Sequence, residues 1–263
     1  MFDTGCSVIG VVHVHALPGA PQYGGDIRAI IDAAVKDAAA YVDGGIDAIA
    51  IENMHDVPYL NGAVEPETVA GMTMVAQAVR AAHPKLPLGI QILAAANIEA
   101  LGVALAASLD FIRVEGFVFA HVGDEGLHNA NAPKLLRRRA QLGANHIKVY
   151  ADIKKKHSAH AITGDVSLVE TAHAAEFFLA DGVIVTGGAT GIAPPAGDVA
   201  DVRAAVGKEC KVLVGSGVTA DNIGYFAPHA NALVVGSSLK HEGKWQNPVD
   251  AKRVKQLMAV VKA

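Results

Sequence analysis

Short β-branched runs alternate along the chain with longer Ala-rich stretches whose apolar residues recur every three or four positions. The runs Val8–Val14, Asp47–Asn53, Leu88–Leu93, Phe111–Gly116, Ile147–Ile153, Gly182–Thr186, Val212–Gly215 and Ala232–Gly236 read as eight strands. Helices are predicted between them over Ile27–Asp43, Pro66–Ala82, Ile98–Ser108, Pro133–Leu142, Leu168–Ala180 and Val249–Lys262. Two shorter helices are predicted at Val199–Val206 and Asp221–Phe226. Strands alternating with helices pair in parallel through right-handed crossovers. Eight such units within 263 residues fit a single α/β domain spanning the chain, a (β/α)8 TIM barrel. A doubly wound open sheet is the competing arrangement.

Composition sharpens this. Hydrophobic residues make up 51% of the chain, aromatic ones 5% and charged ones 18%, with a mean hydropathy of +0.31. That is too apolar for disorder. Cys6 and Cys210 are the only cysteines, too few for a disulfide scaffold. No uninterrupted apolar run approaches the roughly 20 residues that cross a bilayer, so the hydropathy belongs to strands buried on both faces. A net charge of −4 gives no basic footprint for nucleic acid. The start of the sequence has no secretory signal pattern, so a cytoplasmic setting is expected. Homo-oligomerisation is left open.

Against this background, polar residues inside strands are the informative minority. In Ile147–Ile153 one parity is apolar, and the other carries Lys148, Tyr150 and Asp152, continuing to Lys154. By the same alternation Arg113 and Glu115 share a face, Gln91 points inward, His13 and His15 share a face, and Glu52 and Asn53 end the second strand. In a barrel these converge on the catalytic, C-terminal end. Asp152 and Lys154 are the candidate acid/base pair, with His157 close behind. Glu52, Arg113 and Glu115 are candidates to position hydroxyls. His13, Asn53, Asp56, Gln91, Thr186 and Gly187 are candidate substrate contacts. Glu52, Asn53 and Asp56, with His13, Asp152 and His157, also leave a divalent metal open, without local ligand spacing to support it. The loop holding His121, Asp124, Glu125 and His128 is long and glycine-punctuated, as suits a lid. Lys155 and Lys156 read as a solvated run.

Gly215, Ser216 and Gly217 follow the seventh strand; Gly236, Ser237 and Ser238 follow the eighth, with Lys240 beyond. Glycines let a backbone approach a ligand, and amide and hydroxyl groups there donate to phosphate. The loops after strands seven and eight are the usual phosphate site of barrel enzymes. Gly215–Ala220 also matches G-x-G-x-x-A, but it lies in the seventh unit with no ribose-binding acid, which argues against NAD.

Several ordered blocks carry a resemblance. They are Gly10–Pro21 (GVVHVHALPGAP), Glu52–Pro58 (ENMHDVP), Phe111–Val114, Ala151–His157 (ADIKKKH), Ala180–Gly191, Val212–Asn222 (VLVGSGVTADN) and Val235–Gly243 (VGSSLKHEG). With these the chain resembles the BtpA family, known for a photosystem I biogenesis protein. The resemblance implies a phosphate-binding TIM barrel. It departs at Leu93–Asn97 (LAAAN), where the family carries a polar Asn-Asp turn after Leu-Arg, and at Glu115, where many relatives carry Asn. An enzyme acting on a phosphorylated sugar or nucleotide-like molecule, by lyase, isomerase or hydrolase chemistry, is the first expectation. A complex-biogenesis factor or a phospho-ligand sensor is the alternative.

Overall fold

A computed structural model describes residues 1–3 and 5–261. Eight parallel strands close into a barrel: β1 (Ser7–His13), β2 (Ala48–Glu52), β3 (Leu88–Gln91), β4 (Phe111–Val114), β5 (Lys148–Ile153), β6 (Gly182–Thr186), β7 (Lys211–Gly215) and β8 (Ala232–Val235). Each strand pairs with its sequence neighbours, and β8 closes on β1 with Ser7 opposite Ala232. The barrel expectation is therefore met, and the open sheet is excluded by the closure. Helices α1 (Ile27–Asp43), α2 (Pro66–Ala82), α3 (Asn97–Ala106), α4 (Ala132–Gln141), α5 (Leu168–Phe177), α6 (Ala196–Ala205), α7 (Ile223–Phe226) and α8 (Ala251–Val261) follow the strands. Predicted ends differ by a few residues, and the expected last residue of α8, Lys262, lies outside the described residues.

The helices form where the pattern dictates. α1 buries Ile30, Ala34, Ala38 and Tyr41 on one stripe, and Asp26 caps it by accepting from the Arg28 and Ala29 amides. Ser167 and Glu170 make a reciprocal capping box at the start of α5. Strand parity divides the core in two. Val149, Ala151 and Ile153 of β5 pack against the helix layer, while Tyr150 joins Ile9, Ala50, Phe111, Leu213 and Val234 inside the barrel. Phe2 plugs the lower end, with its ring centroid 5.9 Å from that of Tyr150 and 6.2 Å from that of Phe111. Gly89 makes room for Phe111: a Cβ there would lie 2.1 Å from the ring.

One feature escaped the sequence pattern. His121–Gly123, Gly126–His128 and Ser158–Ala159 form a small antiparallel sheet that ties the loop after β4 to the loop after β5. Strands of two or three residues are too short to show a period. No helix among the described residues is long and apolar enough to cross a membrane.

Candidate active site at the barrel mouth

Above the apolar layers, the uppermost inward positions change character around the ring. On β1 to β5 they are His13, Glu52, Gln91, Arg113 and Asp152; on β7 and just past β8 they are Gly215 and Gly236. The first half is filled with buried polar side chains and the second is left open. Two adjoining cavities occupy the mouth, sharing Glu52, Met54, Arg113, Lys156 and Thr190. The first, about 340 Å3, lies over the loops after β7 and β8; the second, about 220 Å3, lies over β2 to β4.

Arg113 organises the floor. Its Nε and Nη2 donate to the two Asp152 carboxylate oxygens, both at 3.1 Å, and its Nη1 donates to Glu52 Oε1 at 3.1 Å. All three side chains are buried. A fork-to-fork pair is the geometry in which guanidinium and carboxylate bind best. Burial pushes the Asp152 carboxyl up, opposed by Arg113, and the two carboxylates hold Arg113 firmly protonated. Glu115 Oε2 accepts from the Ala95 amide at 3.1 Å, and Lys155 Nζ lies 3.5 Å from its Oε1.

Lys156 is the cation at the junction of the cavities. Its Nζ donates to Ser216 Oγ at 2.6 Å, and its amide donates to Thr186 Oγ1 at 3.2 Å. Burial, and then Arg113, lower its pKa. Ser216 and Gly217 are consecutive left-handed residues (φ 76° and 67°), a conformation a non-glycine residue adopts at a cost and one concentrated at binding sites. A Cβ on Gly217 would lie 2.1 Å from the Ala193 amide nitrogen. Ser238 Oγ donates to the Val218 carbonyl at 2.7 Å, joining the two loops. Arg253 of α8 also faces this cavity and donates from Nη1 to the Ser238 carbonyl at 3.2 Å.

His13 lines the first cavity. Its Nδ1 lies 2.7 Å from the Trp245 carbonyl, which can only accept, so Nδ1 carries the proton. Burial pushes its pKa well down, so the ring is neutral and Nε2 presents a lone pair, 3.2 Å from where a Cβ on Gly236 would stand.

Several expected site residues sit elsewhere. Lys154 Nζ donates to the Thr163 carbonyl at 3.2 Å and lines a separate small cleft. The alternation that pointed it inward ends with β5, because Lys154 is left-handed (φ 43°). Lys240 is fully buried on the helix side, paired with Asp37 Oδ2 at 3.0 Å and 5.7 Å above the Tyr41 ring. The 3₁₀ turn Ser237–Leu239 swings it away from the mouth. Asn53 and Asp56 serve the backbone: Asn53 accepts from the Leu93 amide at 2.8 Å, and Asp56 accepts from the Leu17 amide at 2.7 Å and from Asn53 at 3.0 Å. Gly187 permits a close chain crossing, since a Cβ would meet the Ile192 carbonyl. His157 reaches the second cavity but is tied to Thr190, whose amide donates to its Nε2 at 3.2 Å. The candidate metal ligands are thus divided among Arg113, loop amides and the Trp245 carbonyl, and among the described residues no group of three or more His, Cys, Asp or Glu is placed to hold a metal.

The model of the BtpA family matches residues 4–263. An uncharacterized mitochondrial protein of Caenorhabditis elegans is 46% identical over 255 residues, covering 95% of this chain and 91% of its own. The photosystem I biogenesis protein BtpA of Synechocystis is 35% identical over 253 residues, covering 96% of this chain and 87% of its own. Among solved structures, the thiamine phosphate pyrophosphorylase of Pyrococcus furiosus superposes with a TM-score of 0.61 at 12% identity, covering 99% of this chain and 97% of the other. That likeness is one of fold.

Proposed function

This chain belongs to the BtpA family, and from that premise we propose that it is an enzyme acting on a phosphorylated sugar or nucleotide-like small molecule. The observation that carries the proposal is the corner of the first cavity. There the glycine-serine turns after β7 and β8 meet, with Lys156 bonded to Ser216 and Arg253 on the far side. Small residues, free amides, hydroxyls and two cations are what a phosphate dianion requires. The loops after these strands are also where barrel enzymes hold phosphate.

The rest of the ligand then lies over Arg113, Glu52 and Gln91. Lys156 stands between the phosphate and these residues. Burial brings its ammonium toward a proton-transfer role, and in its charged form it stabilises an oxyanion or enolate. Arg113 and Asp152 hold the floor rigid, so the reacting atoms meet fixed charges. His13 Nε2 accepts a hydrogen bond from a ligand hydroxyl near the phosphate. Lyase, isomerase and hydrolase chemistry are all compatible with this set.

A complex-assembly role would draw on a different surface. Phe177 and Leu179, 81% and 70% exposed, form an apolar patch beside α4. That role gives the charged floor nothing to do. A thermal-shift screen with ribose 5-phosphate and other phosphosugars separates the two, since a ligand that binds only the native state raises Tm. Stabilisation that disappears in Ser216→Asp and Ser237→Asp supports the phosphate corner. Stabilisation that survives both replacements rejects it.

A further inference from the structure

We propose that the ligand carries a planar aromatic ring of the nucleobase kind, stacked on Trp245 in the second cavity while its phosphate lies in the first. This rests on the phosphate reading above and narrows its substrate to a 5′-mononucleotide. Trp245 is the chain's one tryptophan and lines the second cavity. It is held in place: its carbonyl accepts from His13 Nδ1 at 2.7 Å, and its ring lies 4.9 Å from that of His55 and 6.0 Å from that of His13. His55 in turn lies 5.1 Å from His15. A fixed aromatic face at the mouth is a stacking platform, and every base offers a face to it.

The cavity's other walls are mixed, with charged groups such as Arg113, Asp124 and Lys155 beside apolar ones. Met54, Tyr59 and Leu93 give flat or apolar surface, while Gln91 and Glu115 are polar and buried. Glu115 is engaged with Ala95 and Lys155. The Gln91 side-chain amide reaches the cavity space and is not engaged by a neighbouring side chain among the described residues, so it is free to meet a ligand. Its donor and acceptor together match the edge of a heterocycle, as glutamine matches adenine. A bare sugar phosphate presents hydroxyls on all sides and would leave some of them against Met54, Leu93 and Trp245. A heterocycle is polar at its edge and apolar on its faces, which suits a cavity where Trp245, Met54 and Leu93 stand beside polar side chains.

Trp245 reports its own occupancy through intrinsic fluorescence. The full chain would be titrated with adenosine 5′-monophosphate, uridine 5′-monophosphate, ribose 5-phosphate and inorganic phosphate, with Tm followed in parallel. A nucleotide is expected to quench the emission and to bind tenfold or more tighter than ribose 5-phosphate, as expected for one stacked base. Trp245→Leu should bring the nucleotide to the affinity of ribose 5-phosphate, because the bond to His13 comes from the main chain and survives. Ribose 5-phosphate that binds as tightly as both nucleotides, with no quenching by either nucleotide in the wild-type chain, overturns the stacked ring and leaves the phosphate corner standing. No Tm shift and no fluorescence change with any of the four removes both.

Discussion

The two halves of the barrel mouth are built from different materials. Over β7 and β8 the surface is main chain, glycine and serine, shaped by the left-handed Ser216 and Gly217. Over β2, β4 and β5 it is side chain, a buried guanidinium clasped by two carboxylates. On the reading proposed above, the first half receives charge from outside; the second neutralises its own. Such a division suits a ligand with one anionic end and one reacting end. It also makes the halves respond differently to substitution.

The largest effect is expected on the side-chain half. Arg113→Met leaves Glu52 and Asp152 buried without their cation and should cost about 3–5 kcal/mol. Urea denaturation would measure it, and a loss under 1 kcal/mol would mean the triad does not hold the floor. On the backbone half, Lys156→Met should weaken phosphosugar binding tenfold or more, about 1.5–3 kcal/mol, with the melting temperature little changed. Calorimetric titration reads this, and unaltered affinity would remove Lys156 from the corner. Gly217→Ala forces a methyl group against Ala193 in a left-handed residue. A stability loss of about 1–3 kcal/mol, together with lost binding, is expected; full binding at wild-type stability would show that the corner yields.

Protons should distinguish the mouth from the loop after β4. Burial lowers the histidines: His13 well below its ordinary value, and His55 and His121 to about 4. The unfolded chain takes up their protons near pH 6.5 while the folded chain does not. Their contribution to stability is therefore present above pH 6.5 and lost as pH falls toward 4. Melting curves across that range should show it, and His121→Asn in the loop after β4 should flatten the slope without changing ligand affinity. A slope unchanged by the substitution would clear His121 of the effect. The smallest effect is expected at Lys154, whose side chain turns away from both cavities. Lys154→Met should move ligand affinity less than twofold, and a tenfold loss would return it to the site.

The same contrast explains what the sequence could tell. Barrel strands and the glycine-serine turns were legible because period and residue type act locally. Asp152, Arg113 and Glu52 were legible because parity holds while a strand stays extended. Parity fails where the chain turns: one left-handed residue sends Lys154 out and leaves Lys156, which reads as part of a solvated run, at the centre. Lys240 is lost the same way, through a 3₁₀ turn. Arg253 and Trp245 come to the mouth by tertiary packing of α8 and its preceding loop. The only local sign was that both lie beyond the glycine-serine turn after β8.

The central claim is that the main-chain half receives the phosphate. A crystal structure of the protein with ribose 5-phosphate tests it most directly. The account predicts phosphorus between the Ser216–Gly217 and Gly236–Ser237 amides, within reach of Lys156. A phosphate seated instead over β2 to β4, with Glu52 or Asp152 displaced from Arg113, would contradict it.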